Sequence, residues 1–219
     1  SLGLLIGLGL SGTTFAVVLG AVGRMVPEER RGLALGLATA GGSLGMFMFV
    51  PAGQALLTEI GWINALVMLA AVATLMVIFS GGLAGKPGGG SGERQSLSEA
   101  IAEARGHSGY WLLTLGFFVC GFQVTFIAVH LPAFLADEGL SPMVGATALG
   151  VIGLFNIVSG IMAGVFGDKF RKKFTLSWLY IGRAVVISGF LFFAITEVSA
   201  LVFAAAIGLL WLGTVPLTS

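Results

Sequence analysis

Gln123, His130, Asn156 and Arg183 each interrupt a long apolar run, and they are the side chains with most chemistry to offer. Should those runs cross a bilayer, polar groups at mid-depth are costly to keep there and become functional candidates by default. Arg183 is permanently cationic, and its planar fork matches a carboxylate. It is the first candidate for binding an anionic solute; snorkelling to the surface or pairing with a buried acid is the competing use. Asn156 carries both a donor and an acceptor, to be spent on a solute or on a neighbouring helix. Gln123 is a candidate lining group. It lies two helical turns from His130, so the two can share a face. An imidazole titrates near neutral pH, which makes His130 the candidate carrier of a coupling proton, against the plainer role of an interfacial histidine.

Composition says what must position them. Of 219 residues, 57% are hydrophobic and only 10% charged, with a mean hydropathy of +1.03. Soluble domains carry about 25% charged residues, so this chain cannot cover its surface with polar groups. Thirty-five glycines suit helices that pack closely in lipid. A net charge of +1 leaves no footprint for nucleic acid, and the single cysteine, Cys120, allows neither an intrachain disulfide nor a cysteine metal cluster. No cofactor or metal is expected. The partners expected are a small-molecule solute, membrane lipid and a coupling proton.

A bilayer core needs about 20 mostly apolar residues per helix. Seven stretches qualify, at 1–22, 33–57, 61–80, 109–135, 142–166, 174–196 and 199–218. At about 1.5 Å per residue, Gln123, Asn156 and Arg183 fall at mid-depth, and His130 nearer the extracellular end. The expected fold is all-α, a polytopic transmembrane bundle. Ser1 and Ser219 both fall inside apolar stretches, so the chain reads as a fragment.

The connections alternate in charge. The first holds Arg24, Arg30 and Arg31, the third Lys86, Arg94 and Arg105, the fifth Lys169, Arg171, Lys172 and Lys173. The second, fourth and sixth hold no Lys or Arg. Short basic loops resist translocation, so the basic side is expected in the cytosol of an inner membrane. Residues 83–108 form the central cytoplasmic linker. It opens on a Gly-rich tether around Lys86 and Pro87, and then Ser96 and Glu99 read as a capping box opening a short helix through Arg105. That helix, with Leu97, Ile101 and Ala104 on one face, suits the membrane surface or a plain solvated connector.

Gly164-Val165-Phe166-Gly167-Asp168-Lys169-Phe170-Arg171-Lys172-Lys173 resembles the loop signature of the major facilitator superfamily in its second-half copy. Arg171 stands where that family usually has Gly. Pro27 to Gly36, with Arg30-Arg31-Gly32-Leu33-Ala34, followed by Gly41-Gly42-Ser43-Leu44-Gly45, is similar to the loop and fifth helix of its monocarboxylate and oxalate/formate branch, and Gly61-Trp62 suits that branch too. The resemblance implies a twelve-helix carrier of which this chain holds helices 4–10. Residues 1–82 would then end the first six-helix half and 109–219 begin the second. It also implies a conformational latch at Gly164, Asp168, Lys169 and Lys172. That branch commonly keeps a substrate Arg within a turn of the Asn156 position; Ile157, Val158, Ser159 and Gly160 supply none. From the glycine spacing, Gly32, Gly36, Ala40 and Gly45 make a small-residue face suited to close helix packing.

The function expected is secondary transport of a small solute, a small organic anion first, with drug or sugar transport as the alternative. A receptor or scaffold is the rival of another class. A retinal protein would need a mid-helix Lys, yet Lys86, Lys169, Lys172 and Lys173 lie in loops. An enzyme is not expected, since no acid–base or metal constellation is spaced for one. Gly88-Gly89-Gly90 is not followed by the Lys-Ser/Thr of a phosphate-binding loop.

Overall fold

The computed structural model describes residues 4, 15–81, 97–169, 172–211 and 213–214. Among the described residues seven helices follow in order: α1 (Phe15–Met25), α2 (Glu28–Gly81), α3 (Leu97–Gly106), α4 (Ser108–Asp137), α5 (Pro142–Lys169), α6 (Lys172–Phe190) and α7 (Glu197–Gly208). No strand occurs among the described residues. Among the described residues, three helices are long and apolar enough to cross a membrane, within Leu33–Met76, Ser108–Asp137 and Pro142–Ala163.

α2 combines two of the expected spans. Its backbone breaks at Gly61, where φ is 76° and ψ 165°, a conformation that costs an L side chain dearly. The chain turns back there. A Cβ placed on Gly53 would lie 4.0 Å from Leu69 Cδ1, whereas sixteen residues of unbroken helix would separate the two by about 24 Å. The helical hairpin thus has its apex at the Gly61-Trp62 pair.

The first limb of α2 runs antiparallel along α5, and α2 with α5 is the most extensive helix pair among the described residues. Small residues make the approach close. A Cβ on Gly36 would meet the Gly160 carbonyl oxygen at 3.1 Å, one on Gly153 the Ser43 carbonyl oxygen at 2.7 Å, and one on Gly150 Pro51 Cγ at 2.9 Å. Of the expected small-residue face, Gly36 and Ala40 are on this seam and buried. Gly45 is not: a Cβ there would have nothing within 4 Å. The stripe follows Gly36, Thr39, Ala40 and Ser43, spaced by three and four as helix packing requires; Gly45 is two residues out of phase.

Behind the seam, α5 buries Ala148, Leu149 and Ile152 against Leu131 and Leu135 of α4 and Phe203, Ala204 and Ile207 of α7. Large apolar side chains elsewhere, such as Phe118, Phe122, Trp178 and Val185, are exposed, as expected of helices solvated by lipid or by further helices.

Two spans end earlier than hydropathy suggests. α6 stops at Phe190, and Thr196 caps α7 by accepting from the Ser199 backbone N–H at 3.1 Å. α7 stops at Gly208 rather than running on toward 218. A Cβ at Gly208 would sit 2.8 Å from the Ile152 carbonyl oxygen, and the backbone then tightens through Leu210 N–H to Ile207 O and Trp211 N–H to Gly208 O. The expected linker helix forms as α3; Ser96, its expected cap, lies outside the described residues.

Candidate functional site

Buried polar side chains gather in two nodes on either side of α5. The first is in the seam. Asn156, 1% exposed, donates from Nδ2 to Ser43 Oγ at 2.7 Å; Ser43 Oγ in turn donates to the Thr39 carbonyl at 3.0 Å. Thr39 Oγ1 donates to the Leu35 carbonyl at 2.8 Å. The hydroxyls on α2 therefore close on their own helix, and the Ser43 oxygen has a lone pair left to receive Asn156 across the seam.

The second node surrounds Arg183, 2% exposed on α6. Its Nε donates to the Leu210 carbonyl at 2.6 Å, Nη2 to the Trp211 carbonyl, and Nη1 to Cys120 Sγ at 3.4 Å. The guanidinium carbon lies 5.3 Å from the centre of the Tyr180 ring, and Tyr180 OH donates to the Gly116 carbonyl at 2.8 Å. Cys120 Sγ and Thr214 Oγ1 are 3.3 Å apart. The last turns after α7 release carbonyls that an uninterrupted helix would use internally, and the Arg183 fork collects two of them. A cation at a helix C-terminus also meets the negative end of the helix dipole. None of these partners is an anion.

α5 connects the nodes. Ser159, buried one turn after Asn156, lies on the side toward the second node: a Cβ on Gly213 would come within 2.9 Å of Ser159 Oγ.

Gln123 and His130 do share a face. Both line a cleft of about 540 Å³ between α4, α6 and α7, with Phe122, Phe126, Phe190 and Phe203. The Phe126 and His130 ring centres are 4.7 Å apart. The structure thus places the four sequence candidates in three settings: Asn156 in the seam, Arg183 at the α7 end, Gln123 and His130 in an aromatic cleft. Gly164, Asp168 and Lys169 fall on the last turns of α5, and Lys172 opens α6; the side chains of this latch motif and residues 170 and 171 lie outside the described residues.

Sequence reasoning passed over Ser43, Thr39, Ser159, Cys120 and Thr214. Their shared signal is weak. A hydroxyl or thiol hardly dents an apolar run, and their side-chain partners are 94 and 113 residues away. Only the small-residue stripe on α2 pointed toward Ser43.

The family model described as Major Facilitator Superfamily matches residues 1–219. Monocarboxylate transporter 13 of Bos taurus is 32% identical over 175 residues, covering 77% of this chain and 39% of that protein. An MFS-type transporter of Bacillus subtilis, YcxA, is 26% identical, covering 67% and 36%. A probable sugar efflux transporter of Helicobacter acinonychis is 27% identical, covering 77% and 43%. The chain spans about two fifths of the length of these relatives. No solved structure matches.

Proposed function

The chain belongs to the Major Facilitator Superfamily, and from that premise we propose that it forms part of a secondary carrier for a small organic anion, working by alternating access of two helical halves. It is a multi-pass membrane protein of a transporter family, and transport rather than catalysis is its function. The observation that carries the substrate class is Arg183: a permanent charge, buried, whose partners are carbonyls, a thiol and an aromatic ring. Dipoles orient that charge without neutralising it, and buried charges in membranes ordinarily find a counter-ion. A carboxylate arriving from the aqueous side fits the fork. Gln123 is the further solute contact, Asn156 being held to Ser43 in the seam, and His130 takes the coupling proton. Asp168 latches one conformation. The basic loops and the 83–108 linker face the cytosol of an inner membrane.

The test is uptake by the full-length carrier in proteoliposomes, against a panel of small carboxylates, with and without a pH gradient. Accumulation of a carboxylate that rises with the gradient is expected. Arg183→Ala lowers it at least tenfold, and His130→Ala removes the response to pH. Unchanged uptake kinetics in Arg183→Ala would end the anion reading. The likeness to a probable sugar efflux transporter favours a second reading, an uncharged solute; sugar movement indifferent to Arg183 selects it.

A further inference from the structure

We infer that the Ser43–Asn156 hydrogen bond is the fulcrum on which the α2 limb and α5 tilt against each other, an inference that rests on the carrier reading above. Ser43 lies 15 residues from Glu28 and 18 from Gly61; Asn156 lies 14 from Pro142 and 13 from Lys169. Both are thus at the middle of their helices, and the bond between them is 2.7 Å long with both side chains buried.

Position decides what such a bond can do. Each arm is about 20 Å long at 1.5 Å per residue. A relative tilt of about 15° carries the end of an arm roughly 5 Å, while a pair within about 2 Å of the crossing point shifts by roughly 0.5 Å. A hydrogen bond survives the second displacement and not the first. Only a pair at mid-length persists through both orientations.

The rest of the seam permits the tilt. Gly36 faces Gly160 and Gly153 faces the Ser43 backbone, so backbone lies on backbone at both places, and the Pro51 ring rests on Gly150 further along. Thr39 spends its hydroxyl within α2. At the far end of the seam, Gln54, Thr58, Glu59, Ser141 and Met143 line an open gap of about 320 Å³. Separation at that end with contact kept in the middle is the geometry of a lever.

The experiment uses the full-length carrier with Cys120→Ser and a reporter cysteine at Thr58, labelled by a bulky membrane-impermeant maleimide. Two fractions, one reactive and one protected, report the two orientations. Ser43→Cys with Asn156→Cys is then oxidised to a disulfide. The fulcrum predicts that both fractions persist after the link forms; collapse to one fraction overturns it. Ser43→Ala serves as a second arm should the cysteine pair not fold. A bond kept in both states biases neither, so the ratio of fractions stays within twofold while thermal stability falls. A shift of threefold or more, about the factor a typical interhelical hydrogen bond carries, means that the bond belongs to one state and is a latch, which also overturns the proposal. A single fraction before any link removes the carrier reading itself, and the fulcrum with it.

Discussion

Arg183 shows how far a residue can be read before its neighbours are known. Its charge in an apolar run made it conspicuous, and the run placed it at mid-depth. Its partners were not legible: two are carbonyls of a turn that hydropathy draws as helix, and the third is Cys120, 63 residues away on another helix. The fork geometry gives a prediction apart from transport. Arg183→Lys keeps the cation but replaces the planar fork with a point donor, leaving a carbonyl or the thiol unserved. Each buried group left without a partner costs about 1–3 kcal/mol. Thermal unfolding of the full-length protein in detergent should therefore rank wild type above Arg183→Lys, and Lys above Arg183→Met. If all three melt together, the Leu210 and Trp211 carbonyls do not depend on this side chain.

At the scale of elements, hydropathy found the long apolar helices among the described residues and misplaced some ends. Residues 33–57 and 61–80 read as separate spans, and the Gly61 break separates them as the sequence suggests. The ends at Phe190 and Gly208 were hidden because apolar residues continue past both. What stops α7 is tertiary: Gly208 presses on the Ile152 carbonyl and Arg183 draws off the next carbonyls. The seam follows similar logic. Its glycines were visible, but which of them touch depends on phase, and Gly45 fell outside. Gly153→Ala tests the assignment. The added methyl would meet the Ser43 carbonyl oxygen at 2.7 Å and the Phe47 nitrogen at 2.9 Å. Both are backbone atoms with little freedom to move aside, so α2 and α5 must part locally. Overpacking of this kind costs about 1–3 kcal/mol, read as a lowered unfolding midpoint. Gly45→Ala, with open space around it, is expected to leave the midpoint within a degree or two of wild type; equal losses in the two variants would mean that the seam runs elsewhere.

For the whole molecule, the charge pattern and the antiparallel seam support one another although they come from different physics. Ten of eleven Lys and Arg residues fall on alternate connections, which concerns the energetics of moving charge through lipid. The pairing of Gly36 with Gly160 and of Pro51 with Gly150 concerns packing alone. Yet that pairing brings the end of α2 next to Arg30 and Arg31 to the same level as the end of α5 next to Lys172 and Lys173. A register slipped by a helix, or a span miscounted, would instead have set basic ends against the acidic turn at Asp137 and Glu138. Labelling of single cysteines in sealed vesicles by an impermeant maleimide makes the agreement testable. Positions 86 and 172 should react from the same side, and position 138 only from the other. Reactivity of 86 and 172 from opposite sides would leave the seam without a consistent direction, since α2 and α5 can lie antiparallel with their basic ends together only if both of those connections share a face.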